Sequence, residues 1–123
     1  MPRASRKDVE AARTLVRQRD GEQCQLCGMP ASEQHHRRRK GMGGSAALEL
    51  ASVLITACGR GNTSGCHGLV HQHPHVGHGL EWLLYERQDP ASTPVYTIHG
   101  WVYLSDDGGR TPCESPLLGE VAG

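Results

Sequence analysis

The chain has 123 residues with 13 basic and 13 acidic side chains, lacks Phe, and carries two Trp and three Tyr against 16 Gly. That is material for one domain with a small apolar core, of the kind that commonly needs a metal or disulfide staple. No apolar run approaches the ~20 residues that span a bilayer, and the polar, basic start Met1–Lys7 is unlike a signal peptide, so a soluble, cytoplasmic protein with no membrane partner is expected.

In chain order, residues 6–20 are predicted to form a helix. Val9, Ala12, Leu15 and Val16 recur at helical spacing, Ser5 is a suitable N-cap and Gly21 a suitable stop. A tight Cys24–Gly28 turn follows, then a polar extended stretch over 32–39. Lys40–Ser45, with three glycines, is predicted to be a loop. The β-branched run Ser52–Thr56 reads as a strand feeding Cys58. After a glycine-rich return at Gly65, His67–Gln72 is predicted to form a short helix ended by Pro74. Leu80–Glu86 and Pro94–Leu104 read as further strands, and Asp107-Gly108 as a turn. The predicted organisation is a basic helix over 1–20, a central α+β domain over 21–105 and a flexible tail over 106–123.

Charge is unevenly spread. Residues 1–45 hold ten basic and five acidic side chains, and the remainder three and eight. A basic half is either a footprint for a polyanion or solvated surface.

Five cysteines are present. Cys24-x2-Cys27 and Cys58-x7-Cys66 together make a four-thiolate set. Zn²⁺ takes such a set tetrahedrally and leaves no open position, so the expected role is a structural zinc staple. Gly59, Gly61 and Gly65 let the longer second loop fold back. A disulfide is the competing reading. Cys113 has no partner in the pattern and is expected to be a spare thiol.

The histidines form a second constellation. His67 and His71 stand four apart, so on a helix they share a face and can grip one ion. A third ligand is expected from His35 or His36, which the zinc staple brings near. Three protein ligands with open positions is the pattern of a catalytic metal site. Adjacent side chains on an extended chain point to opposite faces, so one of His35 and His36 is expected to be a ligand and the other a general base. The spacing does not say which.

The segments C-Q-L-C, H-H-R-R-R-K-G-M-G-G-S, L-I-T-A-C, C-H-G-L-V-H and G-W-V-Y-L-S-D-D-G resemble, in combination, the HNH endonucleases carried by bacteriophages. The resemblance covers about residues 20–105. It implies an α+β fold of the ββα-metal (His-Me finger) kind, stapled by a four-Cys zinc knuckle pair. By position, it implies His35, His67 and His71 as ligands of the catalytic ion and His36 as the base that activates water. It also implies Cys24, Cys27, Cys58 and Cys66 as structural zinc ligands, and Arg37 as a phosphate contact. The family's middle asparagine has no counterpart: Val53 stands there, beside Ser52. The expected activity is hydrolysis of DNA phosphodiester bonds with one divalent ion, which could be Zn, Ni, Co, Mn or Mg. Arg37, Arg38, Arg39 and Lys40 are expected to hold the DNA backbone. The resemblance further implies a phage-encoded protein in the cytoplasm of a bacterial host, with the terminase as a partner. A zinc-stabilised DNA-binding module without catalysis is the main alternative, and a metal-buffering protein using the His-rich stretch 67–78 is a second.

Overall fold

The computed structural model describes residues 5–38, 49–61 and 63–114. Within them the chain is α+β, with three α-helices and two antiparallel sheets. The first helix, α1 (Arg6–Asp20), begins on a reciprocal cap: the Ser5 hydroxyl accepts from the Asp8 N–H, and the Asp8 carboxylate accepts from the Ser5 N–H. It ends where Gly21 turns left-handed (φ 65°) and donates to the Arg17 carbonyl. Both ends fall where the sequence puts them.

Strands β1 (Glu33–His36) and β2 (Leu54–Ala57) pair antiparallel, with His35 opposite Ile55. Helix α2 (Gly65–Gln72) follows β2 and packs back on it. Helix α1 covers β2 as well: Ala12 and Val16 close on Ala51 and Leu54. A polar clasp reinforces that contact. Arg19 donates to the carbonyls of Ala51 and Leu54, and the buried Asp20 carboxylate accepts from Arg19 and from the Thr56 N–H. The helix is therefore tied into the domain core.

Pro74 ends α2 and starts a second short helix, α3 (Pro74–Gly79), because a proline cannot donate to the preceding turn but suits a first helical position. The segment 80–86, predicted as a strand, is instead an irregular passage. Glu81 takes a left-handed conformation (φ 61°) that breaks any extended run. Trp82, Leu83 and Leu84 are buried consecutively, and the Leu84 N–H is spent on the Arg37 carbonyl. The predicted strand over 94–104 is a hairpin of β3 (Val95–Thr97) and β4 (Gly100–Leu104). Its inward residues Val95, Val102 and Leu104 join Ile55, Val70 and Trp82 in the main core.

The flexible tail expected from 106 does not begin there. Strand β5 (Arg110–Pro112) pairs with β4, and the Asp106 carboxylate accepts from both the N–H and the hydroxyl of Ser52. Pairing and this polar clasp hold these residues in place; 115–123 lie outside the described residues.

Candidate functional site

Two side-chain clusters that could hold a metal ion lie around β1, β2 and α2. In the first, the sulfurs of Cys24, Cys27, Cys58 and Cys66 all lie within 4.8 Å of one another. Two hairpin-like loops supply them. In the first loop the Cys24 N–H bonds to the Met29 carbonyl and the Gly28 N–H to the Cys24 carbonyl. In the second, Gly59 and Gly65 touch backbone to backbone. A Cβ on Gly65, whose φ is +62°, would stand 2.6 Å from the Cys58 carbonyl oxygen, and one on Gly59 would collide with Ser64. Only glycine permits that closure.

Backbone N–H groups already point at sulfur: Cys66 to Cys58 at 3.3 Å and Cys27 to Cys24 at 3.5 Å. None of the five thiols is in a disulfide, and Cys27 and Cys58 stand 3.5 Å apart, well beyond a covalent S–S bond of ~2 Å. Burial pushes the Cys24 thiol up, but backbone hydrogen bonds from Cys27, Cys58 and Leu26 outweigh it and bring it to about 7. Burial, reinforced by Cys58, pushes Cys66 up. Four converging thiols fit a zinc ion, which would take all four as thiolates.

The second cluster is His35, His67 and His71, one ring nitrogen of each lying within 4.8 Å of the others. The ring centres form a nearly equilateral triangle of 5.0–5.1 Å. His67 and His71 project from one face of α2, as the four-residue spacing predicts. His35 reaches them from the buried face of β1. Its Nε2–H donates to the Trp82 carbonyl at 2.6 Å. A carbonyl can only accept, so the lone pair is on Nδ1, and that buried atom has no hydrogen-bond partner. His67 is fixed in the complementary way: Nδ1–H donates to the Glu33 carboxylate at 3.0 Å, leaving Nε2 as the acceptor. Glu33 is itself held by the Gly61 N–H at 2.6 Å. Burial, reinforced by the neighbouring His67 and His71, drives His35 down to about 3, and burial followed by His67 lowers His71. Lone pairs oriented by a partner on the other ring nitrogen, as in His35 and His67, are what a divalent cation requires. The group is a candidate second metal site.

His36 is not part of this triangle. It faces away from His35, as neighbouring residues of a strand must. Its Nε2–H donates to the Glu49 carboxylate at 3.2 Å, which leaves the Nδ1 lone pair available. Glu49 also lies 3.9 Å from Arg13.

Arg37 corrects an expectation. It is fully buried, and its guanidinium donates to the carbonyls of Glu81, Ser52, Pro90 and Thr93. Enclosed in this way, it does not face a phosphate at the surface; the residue bolts together three stretches of backbone. Arg38 is half-buried and donates to the Glu86 carbonyl. Arg39, Lys40 and the glycine-rich loop lie outside the described residues, as does Asn62. Ser52, the hydroxyl beside Val53, is spent on Asp106. Cys113 sits beside β5, its N–H on the Trp101 carbonyl. The carboxylates Glu33 and Glu49 were not singled out by the sequence. Glu33 lies two residues before His35, a spacing that places it on the strand's same face, but its partner is 34 residues away. Comparison of the chain with protein-family models, with curated proteins and with solved structures found no match.

Proposed function

We propose that the protein is a metal-dependent endonuclease of the HNH type that hydrolyses DNA phosphodiester bonds. The observation that carries this reading is the triangle of His35, His67 and His71, with the buried Nδ1 of His35 unpartnered. It stands on a strand pair followed by a helix, the order the ββα-metal motif requires. A divalent ion bound there would stabilise negative charge on the phosphate and on the leaving 3′ oxygen. His36 is the general base. Glu49 holds its Nε2–H and leaves Nδ1 to take a proton from the attacking water. The products are a 5′-phosphate and a 3′-hydroxyl. Arg38, Arg39 and Lys40 remain the candidates for the backbone contacts, without Arg37. The four cysteines hold a structural zinc. By its resemblance the protein works in the cytoplasm of a phage-infected bacterium, alongside the terminase.

One observation favours a second reading, a zinc-stapled DNA-binding module without catalysis: Val53 occupies the place of the family's asparagine and is fully buried. Cleavage of supercoiled plasmid separates the two. Metal-stripped, zinc-restored protein should nick when Mn, Mg, Ni, Co or Zn is added. His36→Ala should lower the rate ~10²–10⁴-fold while DNA affinity is kept. Binding with no cleavage under any metal would leave the module.

A further inference from the structure

We propose that the cleft beside His71 seats an unstacked nucleobase of the strand being cut, so that single-stranded or locally melted DNA is the substrate of the three-histidine centre. This rests on the nuclease reading above. The cleft has a volume of about 520 Å³ and is lined by His71, Pro74, His78, Leu83, Tyr85 and Glu86, among others. That volume is ordinary for a small planar ligand. Because His71 belongs to both, the cleft opens directly beside the metal cluster.

Its chemistry suits a base and not a phosphate. Among the described residues no lysine or arginine lines it, and Glu86 would repel an anion while accepting from the amino edge of a base. Pro74 and Leu83 supply apolar wall. Tyr85 is 48% exposed, and its ring lies parallel to that of His78 at 3.9 Å, an interplanar angle of 7°. The Arg87 guanidinium stands over the Tyr85 ring at 5.1 Å. A base can stack in its place or on its plane. Arg38, which donates to the Glu86 carbonyl, puts a cation next to this wall for the phosphate that flanks the seated base. A base in duplex DNA must leave its stack to reach such a site, and a single strand avoids that cost.

The experiment uses the full chain, zinc-loaded and without a second metal, titrated with an oligonucleotide carrying 2-aminopurine, as a single strand and as a duplex. The single strand should bind about tenfold more tightly and its fluorescence should be quenched by stacking. Tyr85→Ala should weaken that binding about tenfold and abolish the quench, and Tyr85→Trp should retain both. Tyr103→Ala, an exposed tyrosine of β4 outside the cleft, should change neither. Equal or tighter binding of the duplex, or unaltered quenching in Tyr85→Ala, overturns the proposal. Cleavage with added Mn²⁺ then separates the two readings. Cutting with a preference for duplex removes the base site and keeps the nuclease. Tyr85-dependent stacking with no cutting keeps the base site and removes the nuclease.

Discussion

A histidine offers a metal one nitrogen, and some other group must decide which. In this protein a carbonyl decides for His35 and a carboxylate for His67. Glu33 accepts from His67 Nδ1–H, which fixes the ring and makes Nε2 a better donor to a cation. Glu33→Ala should therefore weaken binding of Co²⁺ or Zn²⁺ at the three-histidine site ~10–100-fold, read by calorimetric titration of the zinc-stapled protein. Glu33→Gln, which keeps an acceptor oxygen, should lose less. Unchanged affinity in both variants would mean that the ring is held by α2 alone. Glu49 stands in the same relation to His36, but there the expected loss is in turnover. Glu49→Ala should cut the plasmid-nicking rate by up to ~100-fold through misplacement of the base, with metal affinity unchanged. Equal nicking by parent and variant would sever Glu49 from the mechanism. The convergence of these side chains was legible, because four-residue spacing on a helix and paired cysteines are local patterns. The two carboxylates were not. Glu33 meets a partner 34 residues away and Glu49 one 13 residues away, and only the β1–β2 pairing and the fold around it make them neighbours.

At the scale of elements, Arg37 joins what the sheets do not. Its guanidinium ties the end of β1 to Ser52 before β2, to Glu81 in the irregular passage, and to Pro90 and Thr93 before β3. The run of three arginines reads as one basic patch in the sequence, yet burial separates its first member from the rest. Strand direction explains this: Arg37 follows β1 on the inward side that His35 also takes, two residues earlier. Removing the side chain would leave four backbone carbonyls, two of them in fully buried bonds, without this donor. Arg37→Ala should accordingly cost about 3 kcal/mol or more in urea unfolding. An exposed phosphate-binding arginine would cost under ~0.5 kcal/mol, so the measurement discriminates the two roles. Helix α1 could be read to the residue, since its cap, its stripe and its stop all lie within one segment. The passage 80–86 could not. Its apolar run packs consecutively around Trp82, which the sequence cannot tell from an alternating strand without knowing that β2 and α2 enclose it.

For the whole molecule, the centre places neutral histidine in the core, and that ties stability to pH. His35 lies in the interior at 0% exposure, stacked on Trp82, and burial lowers it from 6.5 to about 3. The unfolded chain takes up a proton on this ring near pH 6.5, whereas the fold refuses it until about 3. Between those values the unfolded state binds more protons, so the contribution of His35 is fully present above pH 6.5 and is lost as pH falls. The slope is ~1.4 kcal/mol per pH unit for one proton. Acid also strips thiolate-bound zinc, which would mask the effect in the parent alone. A comparison removes it. His35→Leu keeps the zinc knuckle and lacks the titrating ring, so zinc loss subtracts out when the two proteins are unfolded in urea side by side. From pH 7 to pH 5 the parent should lose ~2 kcal/mol more than the variant. A constant difference across that range would mean that His35 is hydrated and already protonated at pH 5, and an enclosed site for a cation would have to be abandoned with it. Filling the triangle with a divalent ion should steepen the same dependence, because proton and metal compete for the lone pairs that Trp82 and Glu33 hold in place.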